Sequence, residues 1–596
     1  MTAAVQTLWA ELVVASLADA GVVTCVISPG SRSTPLALAL AADPRFDLPT
    51  IIDERAAAFF ALGVARATDK PAAMLCTSGS AAAHYLPAIV EASLAGIPLV
   101  AITADRPPEL QQCGATQTID QVKLYGGFVR GAFDLGAPVG SALAMRAVRR
   151  KVIAAVTLSR GPHPGPVHVD VPLRKPLEPA APSTDEDRAL ARVVAELRGT
   201  PVLSQPPKLV ADHAALDALA AAIAAESHGI IVAGAMPVQF AASRRAVLEL
   251  AARAGYPVLA EAGSQVRFGS PSAAVVVDQF DLVLALAGAP APRLIIRLGA
   301  EPVAAGWSAA QTMLAGATRY VLADHDWRDP DSSAAAVIIG NIADSLAYLA
   351  ERVGRDIAAD ATRHEFAAAW HAADLRGGAA IDRALAAHPR SEGAVLRAAI
   401  AAMPKATLLQ IGNSLPIRVI DLVSDQREHR VITQRGAAGI DGLVASAAGA
   451  TRAGCPVLLV LGDVSFAHDL GGLLAARQAS APLAILVVDN GGGRIFAGLP
   501  IARAGHAEAF ERHFITAPDL DPTAIASALG VRAVTAATPA AVATAIGGAI
   551  SHGGVTVIHA PVTASGAHDV RRAALELISS SNPAHPRAAS TGARYV

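Results

Sequence analysis

The chain has 596 residues, with 53% hydrophobic and 17% charged residues and a formal net charge of −2. At roughly 100 to 200 residues per domain, this length predicts about three or four domains with their own cores and excludes one small domain. No long basic run is present, so there is no electrostatic footprint for nucleic acid, and the indicated partner is a small molecule.

The expected fold class is α/β, because short aliphatic runs alternate with Ala/Leu-rich helical stretches, the pattern of βα units around a parallel sheet. The amino terminus has Glu11 inside its first apolar stretch and no basic start before a cleavage site, so it does not read as a signal peptide. In the first third, Val22 to Ser28, Met74 to Thr77, Leu99 to Thr103 and Val167 to Val171 read as buried strands. This is the first domain, residues 1–180. Proline and charge then accumulate, which predicts a linker over 181–208.

The second α/β domain is placed at 209–355. Its Ala-rich stretch Ala214 to Glu226 reads as a helix whose small side chains permit close packing against a sheet. Strands are expected near Gly229 to Ala233, Leu282 to Leu286, Leu294 to Leu298 and Tyr320 to Ala323. No GxGxxG turn supports a nucleotide role. A charged helical stretch, Asp344 to Glu365, leads into a second linker at 356–385.

The third α/β domain, 386–578, has strands near Thr407 to Ile411, Val457 to Leu461, Ala484 to Val488 and Val555 to His559. The most membrane-like stretch, roughly Ala533 to Ile550, holds Pro539, two glycines and several threonines, and is not read as a bilayer span. The tail 579–596 reads as disordered. Lack of a leader and of a span predicts a cytoplasmic protein with no membrane partner. The four cysteines, Cys25, Cys76, Cys113 and Cys455, form no CxxC or metal-ligand pattern and are expected to be reduced core thiols.

The sharpest local signal is Val457-Leu-Leu-Val-Leu-Gly-Asp463 followed by Pro482-Leu-Ala-Ile-Leu-Val-Val-Asp-Asn490. Each is an apolar strand ending in an oxygen ligand. The 27 positions from 463 to 490 leave room for one crossover helix, Asp469 to Arg477. Right-handed βαβ geometry would then set both polar residues at the carboxyl edge of neighbouring strands, where open α/β sheets bind ligands. An Asp carboxylate, an Asn amide oxygen and a backbone carbonyl suit Mg²⁺, and the glycines 491–493 let the backbone approach a diphosphate. Taken singly, Asp463 also reads as a helix cap and Asn490-Gly491 as a turn. A second group lies at Ile51-Ile-Asp-Glu-Arg55, where a strand gives way to an amphipathic helix. Here a carboxylate favouring the positive helix end is the plainer alternative.

Gly462-Asp-Val-Ser465 with Asp489-Asn490 resembles the thiamine diphosphate motif, and Thr77-Ser-Gly-Ser80 resembles the pyrimidine-side loop of those enzymes. Ser28-Pro-Gly-Ser-Arg-Ser-Thr-Pro-Leu36, Asp53-Glu-Arg55, Thr103-Ala-Asp-Arg-Pro-Pro-Glu-Leu110 and Cys113-Gly-Ala-Thr-Gln117 resemble, in that order, the SEPHCHC synthase family of menaquinone biosynthesis. So do Gly412-Asn-Ser414, Gln434-Arg-Gly-Ala-Ala-Gly-Ile-Asp-Gly442 and Arg494-Ile-Phe-Ala-Gly-Leu-Pro500. The motifs span most of the chain.

The resemblance implies three parallel-sheet domains, namely pyrimidine-binding, central and diphosphate-binding. It implies thiamine diphosphate with Mg²⁺, for which Mn²⁺ can substitute. The activity implied is decarboxylation of 2-oxoglutarate and Stetter-like 1,4-addition of the succinyl carbanion equivalent to isochorismate. By the same resemblance Glu54 is catalytic and activates the cofactor, while Asp463, Asn490 and the Gly492 carbonyl hold the metal. Cofactor contacts fall on Thr77, Ser78, Gly79, Ser414, Ile440, Gly462, Asp463, Ser465, Asn490, Ile495 and Phe496.

Both substrates carry two carboxylates, which arginines grip through paired hydrogen bonds. Arg32, Arg106, Arg418 and Arg435 fall at the family's substrate-contact positions with Ser31, Gln117, Ser414 and Leu499. The family lysine expected near Ala305 is absent from Gly299-Ala-Glu-Pro-Val-Ala-Ala-Gly306, and Arg494 is a candidate to offset it. A homodimer or dimer of dimers with active sites at the subunit interface is also implied. The alternatives are a 2-oxoacid decarboxylase or acetolactate synthase-like enzyme, which would have little use for four cationic loops, and a catalytically silent cofactor-binding homologue.

Overall fold

Aliphatic runs bounded by glycine, proline or polar residues become strands, and Ala/Leu-rich stretches become the helices between them. The computed structural model describes residues 3–580 except 270–272, 287, 355–356, 358 and 425–427. These form two compact units. One holds the residues up to Lys208 together with Gln434–Gly454 and Asp469–Ala481, and the other holds the remainder.

In the first unit, strands β1 (Cys25–Ile27), β2 (Ala72–Cys76), β3 (Leu99–Asp105), β4 (Ala132–Asp134) and β5 (Val167–Pro172) form one sheet in the order β1-β2-β3-β5-β4. All pairs are parallel. Every residue of β2, β3 and β5 is buried, which explains their unbroken apolar runs, since a parallel sheet is covered on both faces. The edge strand β4 is short and partly exposed, so no apolar run announces it. The expected linker 181–208 contains a helix, Asp185–Gly199. Thr184 and Asp187 cap it reciprocally, acidic residues fill its first turn, and Leu190 and Val194 are buried. The charges taken as linker chemistry are therefore a helix start.

The same unit shows where much of the alanine excess goes. The helices Glu54–Thr68 and Leu443–Ala450 meet so closely that a Cβ on Gly63 would fall 1.9 Å from the Ser446 carbonyl oxygen, and one on Gly449 would fall 2.0 Å from that of Phe60. Buried Ala57, Ala61, Ala445 and Ala448 fill out these two helices. Small residues thus serve close helix-on-helix contact as well as packing on a sheet. Asp469 supports this pair, accepting from the backbone N–H groups of Val444 (2.8 Å) and Ala445 (3.1 Å).

The second unit carries two sheets. Strands β6 (Gly229–Ala233), β7 (Val258–Ala260), β8 (Val276–Val277), β9 (Leu294–Leu298), β10 (Thr318–Ala323) and β11 (Ala336–Ile339) run in the order β11-β10-β9-β6-β7-β8. The expected strand Leu282 to Leu286 lies instead largely within the helix Phe280–Ala285. A short apolar run does not distinguish a buried strand from a buried helix. The charged stretch Asp344 to Glu365 divides between the helices Ile342–Arg352 and Ala361–Ala387, and the latter occupies most of the expected linker 356–385. Its buried Phe366, Trp370, Ala373 and Ile381 make it a packing element, not a spacer.

Strands β12 (Leu408–Ile411), β13 (Arg430–Thr433), β14 (Val457–Gly462), β15 (Leu483–Asp489), β16 (Arg532–Thr535) and β17 (Val555–Pro561) form the third sheet, ordered β13-β12-β14-β15-β17-β16 and parallel throughout. The stretch Ala533 to Ile550 divides between β16 and the helix Pro539–His552. No helix among the described residues is long and apolar enough to cross a membrane. Of the expected disordered tail, Ser579 and Ser580 close the helix Gly566–Ser580, and 581–596 lie outside the described residues. Cys25, Cys76 and Cys455 are buried, but Cys113 is exposed and is no core thiol. Burial pushes the Cys25 thiol up to about 12.

Candidate active site

A parallel sheet gathers its carboxyl ends at one edge, and the first unit places several expected residues there. The turn after β1 presses Gly30 on the β2 loop so tightly that a Cβ would lie 2.3 Å from Thr77 Cβ. Arg32 N donates to Thr77 Oγ1 (3.1 Å). The Arg32 side chain is buried, with Nη1 donating to the Leu173 carbonyl (2.7 Å) and Nε meeting no hydrogen-bond partner among the described residues. Burial and then the charge of Arg106 lower its pKa, against the opposing pull of Asp105. Ser31 is exposed.

The β2 loop is held from its other side. Ser78 Oγ donates to the Gln117 carbonyl and Gln117 Nε2 to the Ser78 carbonyl, both at 3.1 Å. Gln117 itself has φ +54, a left-handed conformation uncommon for a residue with a side chain. Gly79 N donates to Gln121 Oε1 (2.9 Å), and Gln121 Nε2 donates to Asp170 Oδ1 (3.1 Å). Thr103 Oγ1 reaches the same oxygen at 2.6 Å. Gln121 and Asp170 went unnoticed in the sequence. The available signal was an aspartate inside the buried run Val167-His-Val-Asp-Val171. Arg106 lines a cavity of about 560 Å³ with Asp105, Asp134 and Asp170.

Glu54 opens the helix Glu54–Thr68 immediately after Ile51 N bonds the Ile27 carbonyl (3.0 Å). Helix capping falls to its neighbour, as Asp53 Oδ1 accepts from Arg55 N (2.9 Å) and Ala56 N (3.4 Å). The half-buried Glu54 makes no cap, but it still lies in the first helical turn, where the dipole favours a carboxylate. It stands near the end of β2: the Cys76 thiol is pushed up chiefly by burial, with the charges of Glu54 and Asp170 adding to it.

Also in the first unit, the loop bearing Arg435 and Ile440 is clamped by a residue that the sequence did not flag. Glu91 is buried, pairs with buried Arg66 (2.7 Å), and accepts from Gly436 N (3.0 Å) and Ala437 N (2.6 Å). The loop ends at Gly442, with φ +65 and the Phe59 ring where a Cβ would sit, 1.9 Å away. Ile440 is half-buried.

In the second unit, β14 and β15 are adjacent and in register from Val457–Leu483 to Gly462–Val488, so Gly462-Asp463 and Asp489-Asn490 leave the sheet side by side. Asp463 Oδ1 accepts from Val464 N (2.9 Å) and Oδ2 from Gly492 N (2.6 Å). Burial raises its carboxyl, the bond from Gly492 N opposes this, and the charge of Asp489 adds to it. Asp489 is held below the ordinary carboxylate range chiefly by His559, at 2.9 Å. Asn490 donates Nδ2 to Glu392 Oε2 (3.2 Å), while its Oδ1 is buried and meets no partner among the described residues. The Gly492 carbonyl accepts from Arg494 N (2.8 Å) and keeps a second lone pair.

Among the described residues no cluster of three or more His, Cys, Asp and Glu side chains is placed for a metal. The candidate set is instead carboxylate, amide oxygen and carbonyl, all hard donors, and the orphaned Asn490 Oδ1 is what a Mg²⁺ ligand would leave without its ion. Two of the glycines serve loop packing, since a Cβ on Gly492 would fall 2.3 Å from the Ile515 oxygen and one on Gly493 2.5 Å from that of Phe514.

Ser414 follows β12 with φ +73, and its carbonyl accepts from Arg418 Nη1 (2.8 Å). Ser465 is buried, while Ile495, Phe496 and Leu499 are half-buried, with Phe496 edge-on to Phe514. Near the missing lysine, Ala305 lines a small pocket with Arg418 and Arg571, and Arg571 Nε pairs with Asp281 (2.9 Å). Arg494 pairs with Glu511 (3.6 Å) and reaches the Asn490 carbonyl (3.3 Å).

Comparison with known proteins shows the family. Residues 9–124 match the family described as thiamine pyrophosphate enzyme, N-terminal TPP binding domain, and 415–560 match its C-terminal TPP binding domain. A 2-succinyl-5-enolpyruvyl-6-hydroxy-3-cyclohexene-1-carboxylate (SEPHCHC) synthase of Sorangium cellulosum is 44% identical, over 93% of this chain and 92% of its own. One from Geobacillus kaustophilus is 39% identical, over 86% and 87%. A solved structure of a putative thiamin diphosphate-dependent enzyme from Mycobacterium smegmatis shares the fold, with TM-score 0.67, 18% identity, and coverage of 92% of this chain and 98% of that one. Similarity of this extent, over almost the whole of both chains, shows that the protein belongs to the SEPHCHC synthase family of thiamine diphosphate enzymes.

Proposed function

We propose that this chain is a transferase that decarboxylates 2-oxoglutarate and adds the resulting succinyl unit in 1,4 fashion to isochorismate, giving SEPHCHC and CO₂ in menaquinone biosynthesis. The observation that carries this assignment is the 44% identity over 93% of the chain to a relative of that name. When bound, thiamine diphosphate supplies the electron sink for the pair released as CO₂ leaves. Glu54 holds and returns a proton at its carboxyl toward the pyrimidine ring, and Ile440 supports the cofactor from the Glu91-clamped loop. Asp463 Oδ, Asn490 Oδ1 and the Gly492 carbonyl would hold Mg²⁺, or Mn²⁺ in its place. The loops at Thr77 to Gly79 and at Gly462 to Ser465, with Ser414, Ile495 and Phe496, orient the two ends of the cofactor.

Arg32, Arg106, Arg418 and Arg435 bind the substrate carboxylates, with Ser31, Gln117, Ser414 and Leu499 completing the contacts. In support, Arg32 is buried, and a buried guanidinium stays charged and gains from an arriving carboxylate. The same reading makes the active form a homodimer or dimer of dimers with its sites at the subunit interface. It also places the enzyme in the cytoplasm, where the free thiols found among the described residues would stay reduced.

A charge-assisted pair to the second carboxylate is worth about 1.5–3 kcal/mol, or roughly 10- to 100-fold. With equimolar, differently labelled 2-oxoglutarate and pyruvate, CO₂ release from 2-oxoglutarate is therefore expected to dominate by at least about tenfold. Preferential turnover of pyruvate would overturn the assignment in favour of a monocarboxylate-using thiamine enzyme.

A further inference from the structure

Glu392 is neither a proposed cation ligand nor a proposed substrate or cofactor contact, yet it touches Asn490. It opens the helix Glu392–Ala402, whose cap Ser391 accepts from Ala394 N (3.2 Å), and it is only 1% exposed. A carboxylate in a first helical turn is favoured by the helix dipole, but that preference asks for neither full burial nor a specific partner. Glu392 has both. Its Oε2 accepts from Asn490 Nδ2 at 3.2 Å, and its Oε1 meets no hydrogen-bond partner among the described residues.

Glu392 Oε2 takes its hydrogen bond from Asn490 Nδ2, so the amide faces this carboxyl with its nitrogen. Because the amide is planar, Asn490 Oδ1 then points away from Glu392. That oxygen is itself buried without a partner. Asn490 leaves β15 beside Asp463, whose Oδ2 is bonded to Gly492 N (2.6 Å) on the turn that follows Asn490. We propose that Glu392 is a positioning residue that sets the Asn490 amide with its oxygen, and not its nitrogen, turned toward the cation. This rests on the assignment of Asp463 and Asn490 as cation ligands. Partners that orient a metal ligand typically carry 10- to 100-fold in metal affinity.

The test is Mn²⁺ titration of the full-length protein at saturating thiamine diphosphate, following loss of the free-ion EPR signal. Glu392→Leu keeps the bulk and removes the acceptor, and is expected to raise the Mn²⁺ Kd about 10- to 100-fold over wild type. Glu392→Gln is expected to fall between, because its carbonyl can accept from Nδ2 while its amino group can equally pair with Oδ1 and turn Asn490 round. Apo-protein melting close to wild type separates this effect from a folding defect, and should Glu392→Leu fail to fold, Glu392→Gln carries the test. Wild-type Kd in the folded variants overturns the proposal. Absence of Mn²⁺ binding by the wild-type protein overturns instead the ligand assignment on which it rests.

Discussion

Glu54→Gln is expected to lower kcat by about 10²- to 10⁴-fold, the range contributed by a positioned proton donor or acceptor. The two side chains are nearly isosteric, and Gln holds no exchangeable acid proton at that position. Asp53, not Glu54, accepts the first-turn N–H groups of the helix Glu54–Thr68, so the substitution removes no cap and the fold should persist. Circular dichroism and thiamine diphosphate affinity are accordingly expected to stay near wild type while CO₂ release from labelled 2-oxoglutarate collapses. A variant that folds and retains more than about a tenth of the activity, far above the loss expected for a proton-transfer group, would remove Glu54 from the chemistry.

Glu91→Ala is expected to destabilise the first unit by about 3–5 kcal/mol, the usual cost of breaking a buried ion pair by removing one partner. Arg66 and Glu91 are both nearly inaccessible, with side-chain exposures of 5% and 3%. The lost carboxylate also abandons Gly436 N and Ala437 N, the backbone that carries Arg435 and Ile440, so activity should fall along with stability. Glu91→Gln should cost less, because its carbonyl oxygen still accepts from one of those N–H groups. Thermal unfolding of the purified variants checks the ordering. At roughly 2–4 °C per kcal/mol for a domain of this size, a Glu91→Ala protein melting within about 2 °C of wild type would show that the pair is not a structural clamp.

These expectations draw unequally on what the sequence discloses. Val457 to Asp463 and Pro482 to Asn490 are legible because a buried parallel strand writes itself as an apolar run and a polar residue at its carboxyl end stands out against it; β14 and β15 duly end at Gly462 and Asp489. The Thr77 loop and Arg106 also follow wholly buried strands, but it is the resemblance to the family that singles them out. Glu91, Gln121, Asp170 and Glu392 are not legible. Each is one polar residue in a helix, strand or loop, and its meaning lies with a partner far along the chain. Glu91 reaches Ala437 across 346 positions, Gln121 reaches Asp170 across 49, and Glu392 reaches Asn490 across 98. Periodicity reports which face an element buries, not which distant backbone group a buried carboxylate will meet. The two-residue strand Val276–Val277 and the misread run Leu282 to Leu286 fail differently, being too short for either period to declare itself.

That this chain joins the succinyl unit of 2-oxoglutarate to isochorismate is tested by following the absorbance of the isochorismate diene in the presence of thiamine diphosphate and Mg²⁺. Adding 2-oxoglutarate is expected to bleach the diene with one CO₂ released for each isochorismate consumed, and omitting either the cofactor or 2-oxoglutarate should stop both signals. CO₂ release with the diene left intact, or no consumption of either substrate by the folded, cofactor-loaded protein, would contradict it.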